Sequence, residues 1–493
     1  MLGKGSDLFF KEFISNSDQP VYYQMYDSIR SAILEKRFNP GEKLPPTRSI
    51  AKFCKVSRST VQNAFDLLMA EGYIFGQPGS GTFVCNNLPE KFLTVKPTTS
   101  SINEEPVMPD FSEFAKRLDK SIFKNYIYTG YRPFQVGIPS LKDFPYELWS
   151  KIAQKSAKDL SHPEMGYSDP RGLLTLREMI SLYLRQSRGV KCDAGRIIII
   201  NGAQQALLLA AKMFLDSNDE IIVEDPTYQS ALEVFKTTGA KITYIPVDSD
   251  GINIEKIKQS ATQAKLIYST PSHQFPLGPT MSLKRRLELL QWAVNNSALI
   301  LEDDYDSEYR YTGNPLSSLQ GMADKSPVIY IGTFSKVLYP GLRLGYMVVP
   351  ETLVEPFTLA KTVVDRNAPM LEQLILARFM EEGHFGRHLR RMRVIYEERQ
   401  QVLISEFNKH LAGFGTMDSC HAGLHNIAYL NKKYKDVDLQ QKAAKVNIHA
   451  AALSNYCGER NDLNGLLFGY SAFDNEEIKS NMTALKEAFS RFA

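Results

Sequence analysis

The chain has 493 residues, 43% apolar and 23% charged, with a formal net charge of +3. That predicts roughly two to four globular domains with ample core, and excludes disordered, collagen-like and bundle-spanning membrane classes. A charge this small does not by itself imply a nucleic-acid partner.

The first predicted elements are three helices. Residues 22–37 carry Tyr22, Met25, Tyr26, Ile29 and Ile33 on one face. Thr47 opens a short second helix over 47–54, and residues 59–71 place Val61, Ala64, Phe65, Leu68 and Met69 on a common face. Arg58, Ser59, Gln62 and Asn63 then sit near the start of the third helix and point away from the core. The turn Lys55-Val56-Ser57 gives helix-turn-helix spacing, in which the second helix of the motif presents its first residues to base edges. From Lys43 to Phe65 there are five basic residues (Lys43, Arg48, Lys52, Lys55, Arg58) and no acidic one. Such a stripe suits a phosphate backbone, although charge alone fits a solvated helix face equally well. Two short runs, Tyr73–Phe75 and Thr82–Val84, flank Gln77-Pro78-Gly79-Ser80-Gly81 and predict a hairpin wing.

An Asn/Pro/Thr/Ser-rich stretch follows, then an amphipathic piece around Phe111–Phe123, together read as a linker. From Tyr131 onward short apolar strands alternate with helical patterns. Strands are expected at 197–200, 221–224, 241–245, 265–269, 298–302, 328–331 and 346–349, with helices such as 203–215, 227–238 and 282–295 between them. That alternation predicts an α/β unit with a mostly parallel sheet. Long helical patterns over 373–411 lead into mixed α/β elements. The expected domains are 18–86, a linker 87–130, and 131–493, the last with a large part to about 380 and a small C-terminal part from about 381.

Four pieces of the large unit carry chemistry. In GTFSKVLYPGLRLGY (332–346), Lys336 follows a strand, flanked by the hydroxyls of Thr333 and Ser335 and followed by Arg343. A lysine at a strand end with its pKa depressed is a carbonyl-capturing amine, and an arginine fork suits phosphate. In EDDYDSEY (302–309) a strand delivers carboxylates to the crevice where ligands of parallel sheets bind. Asn201-Gly202-Ala203-Gln204 joins a strand to a helix N-terminus, an arrangement that binds anions. Tyr228, after a strand in EDPTY, offers a ring for stacking on a flat cofactor. Each piece alone also fits ordinary surface or packing roles.

The run LPPTRSIAKFCKVSRSTVQNAFDLLMAEGYI (44–74) closely resembles the GntR-family winged helix. The resemblance implies DNA contacts from Arg48, Ser57, Arg58, Ser59, Thr60, Gln62 and the wing residues Gly79, Ser80, Gly81 and Thr82. Gln62 stands where some relatives carry a base-reading arginine. The four pieces of the second unit together resemble the fold-type-I enzymes that use pyridoxal 5'-phosphate (PLP), the aspartate aminotransferase class. That resemblance makes Lys336 the Schiff-base lysine, pairs Asp303 with the pyridine nitrogen, and sets Tyr305 near the ring hydroxyl and Tyr228 over the ring. It assigns the phosphate to Ala203, Gln204, Thr333, Ser335 and Arg343. Tyr167 in GYSDPRGLLTLR resembles the tyrosine that reaches the partner subunit's phosphate, which implies a homodimer.

This domain order, with TPSHQFPLG (270–278) and EGHFGRHLRRMR (382–393), resembles the MocR family of bacterial regulators. The resemblance implies a domain-swapped dimer that binds operator DNA and senses PLP, or an amino-acid or amine effector, through an aldimine at Lys336. The alternative is an aminotransferase with an appended DNA-binding domain; whether any turnover or half-reaction persists is left open. Two departures bear on the effector. Where the family's GABA regulator has carboxylate-holding arginines, this chain has Tyr228-Gln229-Ser230 and Ser454-Asn455-Tyr456-Cys457. Phe275 replaces the asparagine of aminotransferases. Arg460 or Arg366 would have to supply a carboxylate clamp; otherwise PLP itself is the sensed molecule.

The five cysteines (Cys54, Cys85, Cys192, Cys420, Cys457) are scattered without a C-x-x-C. This argues against disulfides or a metal site and for a reducing compartment. No signal pattern and no apolar run of the ~18 residues a membrane span needs is found, so a cytoplasmic protein without a membrane partner is expected.

Overall fold

The computed structural model describes residues 19–88, 108–118, 131–260, 263–313 and 317–490. The chain divides into two compact units, Met1–Pro109 and Asp110–Ala493.

In the first unit, helices Val21–Leu34, Thr47–Cys54 and Arg58–Ala70 enclose a core of Ile29, Ile33, Ile50, Val61, Phe65 and Leu68. The third helix begins where its cap dictates: Ser57 is extended and its hydroxyl accepts the Thr60 N–H at 3.1 Å. The second ends at Lys55, whose left-handed backbone (φ 53°) makes the turn between them. Met69, expected on the buried face, is 36% exposed near the end of its helix. Strands β1 (Ile74–Gln77) and β2 (Gly81–Val84) pair antiparallel as the wing. Of the expected linker, residues 89–107 and 119–130 lie outside the described residues. The intervening helix Glu113–Lys116 belongs to the second unit. There Arg117 donates to the Thr238 carbonyl at 3.2 Å, and Lys212 covers the Phe114 ring at 4.7 Å.

The second unit is built on an eight-stranded sheet. Its strands are β3 (Ile197–Ile200), β4 (Glu220–Asp225), β5 (Lys241–Asp248), β6 (Gly251–Ile252), β7 (Ala264–Ser269), β8 (Leu299–Asp304), β9 (Val328–Thr333) and β10 (Gly345–Val348), in the order β3-β10-β9-β8-β7-β4-β5-β6. Strands β5, β4, β7, β8 and β9 run parallel. The sheet is mixed at its ends, because β10 runs antiparallel to both β3 and β9 and β6 is antiparallel to β5. The β9–β10 connection, 334–344, is too short for a helical crossover, so the chain reverses instead; that reversal carries Lys336. Both sheet faces are covered. Ile197 and Ile199 enter one core and Ile198 and Ile200 the opposite one, which explains the unbroken apolar run.

The long helical patterns expected over 373–411 form two helices, Met370–Glu381 and His384–Leu411, with Gly383 at φ 73° between them. The small C-terminal part is a four-stranded antiparallel sheet, β11 (Gly415–Met417), β12 (His425–Leu430), β13 (Ala451–Ala452) and β14 (Gly465–Gly469), in the order β11-β12-β14-β13. Helices Asp436–Lys445 and Asn475–Ser490 pack against this part. Among the described residues no helix is long and apolar enough to cross a membrane, and no cluster suits a metal ion.

Candidate functional site

Strand β8 ends in three consecutive buried acids, Glu302 (0% exposed), Asp303 (4%) and Asp304 (6%). Their surroundings separate them. Glu302 accepts the backbone N–H groups of Leu319 and Gln320 at 2.8 and 3.0 Å. Asp304 takes the Arg188 guanidinium at 3.1 Å and the Tyr330 hydroxyl, both on Oδ2, so it is ion-paired although its Oδ1 is buried with no partner among the described residues. Asp303 accepts the Tyr268 hydroxyl on Oδ2 at 2.8 Å, while its Oδ1 is buried with no partner among the described residues. Burial pushes the Asp303 carboxyl up to about 7 despite that bond. An orphaned carboxylate oxygen is costly, and a cationic N–H placed against it removes the cost.

Lys336 stands on the β9–β10 turn, its Nζ donating to the Gly137 carbonyl at 2.7 Å. Burial lowers its pKa, opposed by the Asp306 and Asp303 carboxylates. A lysine released toward the neutral amine is the nucleophile that an aldehyde cofactor requires.

The anion cradle follows β3. Gly202 (φ 87°) precedes helix Ala203–Phe214, and a Cβ there would lie 3.1 Å from the Arg343 guanidinium. Arg343 donates to the Asn201 carbonyl at 2.8 Å. Thr333 Oγ1 accepts the Ser335 N–H at 3.1 Å, so both lie on the same turn as Lys336. Gln204 donates to the Ser230 carbonyl at 3.2 Å, and its Oε1 is buried without a partner among the described residues. Behind this loop lies a network that sequence reading missed. Asp365 accepts from Asn201 and Gln205, each at 2.7 Å, and is neutralised at 2.7 Å by Lys361, a fully buried lysine. The spacing Lys361–Asp365 on one helix face was its only trace in the sequence.

Tyr228 caps helix Gln229–Thr238, and its ring meets Phe275 edge-on at 5.7 Å. Phe275 is a hub, with Tyr305, His425 and Tyr456 at 5.7, 5.5 and 5.4 Å. The Tyr305 hydroxyl lies 2.9 Å from His273 Nδ1. The structure thus brings Lys336, Asp303, Tyr305 and Tyr228 around one crevice at the carboxyl ends of the parallel strands, beside the Gly202–Arg343 cradle. Tyr167 is not brought to it within the chain: it is 82% exposed, with the Arg366 guanidinium 4.6 Å from its ring. Arg460 is engaged elsewhere, bidentate to Asp462 at 2.9 and 2.6 Å and donating to the Val247 carbonyl.

In the first unit Arg48, Arg58, Ser59, Gln62, Gly79, Ser80 and Gly81 are exposed, and Thr60 and Thr82 are partly so. The Ser57 hydroxyl contacts those of Ser59 and Thr60 at 2.8 and 2.7 Å, so these residues cap the helix that carries Arg58 and Gln62. Gln62 is held by Asp66 at 2.8 Å.

The two units define a helix-turn-helix DNA-binding regulator whose second unit has the fold-type-I aminotransferase architecture. Residues 21–84 match the bacterial regulatory proteins of the gntR family, and residues 140–457 match aminotransferase class I and II. The chain belongs to the MocR-type transcriptional regulators. It is 35% identical over 480 residues to the probable rhizopine catabolism regulatory protein MocR of Rhizobium meliloti, covering 96% of this chain and 94% of that one. It is 28% identical to the pyridoxine biosynthesis transcriptional regulator PdxR of Corynebacterium glutamicum, over 95% of each chain. Among solved structures, Pyrococcus horikoshii kynurenine aminotransferase superposes with a TM-score of 0.70 at 26% identity, over 77% of this chain and 97% of that one. The α-aminoadipate aminotransferase LysN of Thermus thermophilus superposes with a TM-score of 0.71 at 26% identity, over 77% of this chain and 97% of that one.

Proposed function

We propose that this regulator binds PLP in the second unit, with Lys336 capturing its aldehyde, and that occupancy of the site alters how its winged helices engage operator DNA. The observation that carries the reading is the buried, unpartnered Oδ1 of Asp303 in the same crevice as a depressed-pKa lysine. Asp303 would hold the pyridine nitrogen protonated, Tyr305 would face the ring hydroxyl, and Tyr228 would cover the ring. The Ala203 and Gln204 end of the helix, Thr333, Ser335 and Arg343 would hold the phosphate. When bound, the cofactor supplies an electrophilic carbon for amines and an electron sink.

Tyr167 is assigned to a partner subunit's phosphate. Its exposure, and its absence from this chain's own crevice, support a homodimer, proposed to be cytoplasmic and domain-swapped. Arg48, Ser57, Arg58, Ser59, Thr60, Gln62 and the wing residues Gly79 to Thr82 are assigned to DNA. Coupling requires that the effector bind two dimer arrangements with different affinities. With Arg460 bound to Asp462 and Arg366 stacked on Tyr167, PLP itself is favoured as the sensed molecule over an amino acid clamped by its carboxylate. Titrating the protein with PLP, then with an amino-acid panel, tests this while visible absorbance and operator affinity are followed. A spectral change with amino acids overturns the preference for PLP as effector. A protein that stays colourless in excess PLP overturns the site.

A further inference from the structure

Away from the residues assigned to PLP and DNA, one cluster joins a nucleophile to the groups that activate it. Cys420 lies in the loop between β11 and β12, its Sγ 3.6 Å from Nε2 of His273. The other ring nitrogen of His273 faces both oxygens of Asp306 at 3.0 and 3.1 Å. Asp306 is 0% exposed and His273 2%, and the imidazole is the ion-pair partner of the buried carboxylate, with Lys336 as a second charge acting on it. Asp306 accordingly holds His273 protonated, up to about 10, against the effect of burial. The ring has little freedom to turn, since a Cβ on Gly423 (φ 97°) would come within 2.2 Å of its Cε1. With Nδ1–H spent on Asp306, Nε2–H points at the sulfur. Of the five cysteines, Cys420 has its pKa lowered, while burial raises Cys54, Cys85, Cys192 and Cys457.

Cys420 is half-buried and lines a cleft of about 130 Å³, walled also by Leu277, Asp418, His425 and Tyr429. His425 donates from Nε2 to the Pro276 carbonyl at 2.9 Å, and burial with the His273 charge keeps it neutral, down to about 4. Its Nδ1 is thereby left as a lone-pair acceptor on a ring that lines the cleft.

We propose that Cys420 is a modification site for small hydroperoxides, with His273 as the proton donor and Asp306 holding it in register. The Cys420 thiolate attacks one peroxide oxygen, so that an S–O bond forms as the O–O bond breaks. The leaving oxygen takes the Nε2 proton of His273 and departs as an alcohol, or as water from hydrogen peroxide. Sulfur is oxidised by two electrons to a sulfenic acid and the peroxide is reduced by the same two. The His425 acceptor takes the O–H of the attacked oxygen. The cluster bridges the loop 270–278 of the large part and the β11–β12 loop of the small part. His273 also lies 2.9 Å from the Tyr305 hydroxyl, so modification acts on the wall of the main crevice. The ionisable groups facing the pair are Asp306, Tyr305 and His425 around His273, and Asp418, Tyr429 and Tyr470 around Cys420.

The test uses the purified full chain without added PLP, so its outcome is independent of the cofactor assignment. The protein is treated with hydrogen peroxide in equimolar amount, trapped with dimedone, and mapped by mass spectrometry. Dimedone is expected on Cys420 ahead of the other four cysteines. Iodoacetamide should alkylate Cys420 at least about tenfold faster than any of them near neutral pH. Its rate should climb less steeply over about pH 6–8 than that of an ordinary thiol, which gains roughly tenfold per unit. His273→Gln should erase the advantage and restore the ordinary slope. Label spread evenly over the cysteines, or a wild-type rate that climbs about tenfold per pH unit, overturns the proposal without need of any variant.

Discussion

Asp303→Asn separates burial of a charge from every other property of this side chain. Asparagine keeps the shape and an oxygen for the Tyr268 hydroxyl, so the fold around β8 is retained. The wild-type carboxyl rises from 3.8 to about 7 in the crevice. A folded-state pKa above the unfolded one means that stability is complete below the unfolded value and is lost as pH rises through the folded value. Integrating between those limits, the Asp303 charge costs the cofactor-free protein about 2–3 kcal/mol more at about pH 8 than at about pH 5. Glu302, raised to about 7 by burial, contributes with the same sign, but it is common to both proteins and cancels in the comparison. Urea unfolding of cofactor-free wild type and variant at the two pH values measures the difference. Wild type should lose more stability than Asp303→Asn by that amount. With PLP present the ranking reverses, because the variant lacks a charged partner for the pyridine nitrogen. A charged hydrogen bond of about 1.5–3 kcal/mol corresponds to a roughly 10- to 150-fold weaker PLP affinity. Equal pH slopes in the two cofactor-free proteins would refute the reasoning from burial.

The remaining predictions follow the same logic. Lys336→Ala should abolish visible PLP absorbance and the effector response while leaving basal operator binding intact, read by spectrophotometry and by gel shift. Arg58→Ala should weaken operator binding and lower the slope of log affinity against log salt by about one, with PLP absorbance unchanged. Ser57→Ala removes the cap of the third helix and should cost about 1 kcal/mol of first-unit stability by chemical denaturation. Asp365→Ala leaves the buried Lys361 cation unpaired and frees Asn201 and Gln205. It should destabilise the second unit by about 3–5 kcal/mol, with a corresponding loss of phosphate-dependent PLP affinity relative to pyridoxal.

The fold was legible where local signals were strong. Helix Thr47–Cys54 and strand Ile197–Ile200 fall at their predicted bounds because a threonine start and an unbroken isoleucine run admit few alternatives. The direction of β10 was not legible. Tyr346–Val349 reads as a buried strand whichever way it runs, and only the length of 334–344 decides it. The boundary at Gly383 between the helices of 373–411 was not placed, because apolar periodicity continues on both sides of it and a single glycine inside a helical pattern is often tolerated.

The site divides along a similar line. Lys336, Asp303, Tyr228 and the Gly202 turn were legible because each stands at a strand end, where chain direction fixes what faces the crevice. Residues that act through a second side chain were not. Asp365 is 164 residues from the Asn201 amide it holds. His273 is 147 residues from Cys420 and 33 from Asp306, separations that no local pattern encodes. The run Glu302-Asp303-Asp304 makes the point most sharply. Three adjacent acids look alike in the chain, yet Glu302 has both oxygens bonded to backbone, Asp304 is ion-paired with Arg188 although its Oδ1 is open, and Asp303 has an open oxygen and no ion pair among the described residues. What suits Asp303 to the proposed ligand is an open oxygen without a protein cation paired to it, rather than its residue type, and that property exists only after the strands have packed.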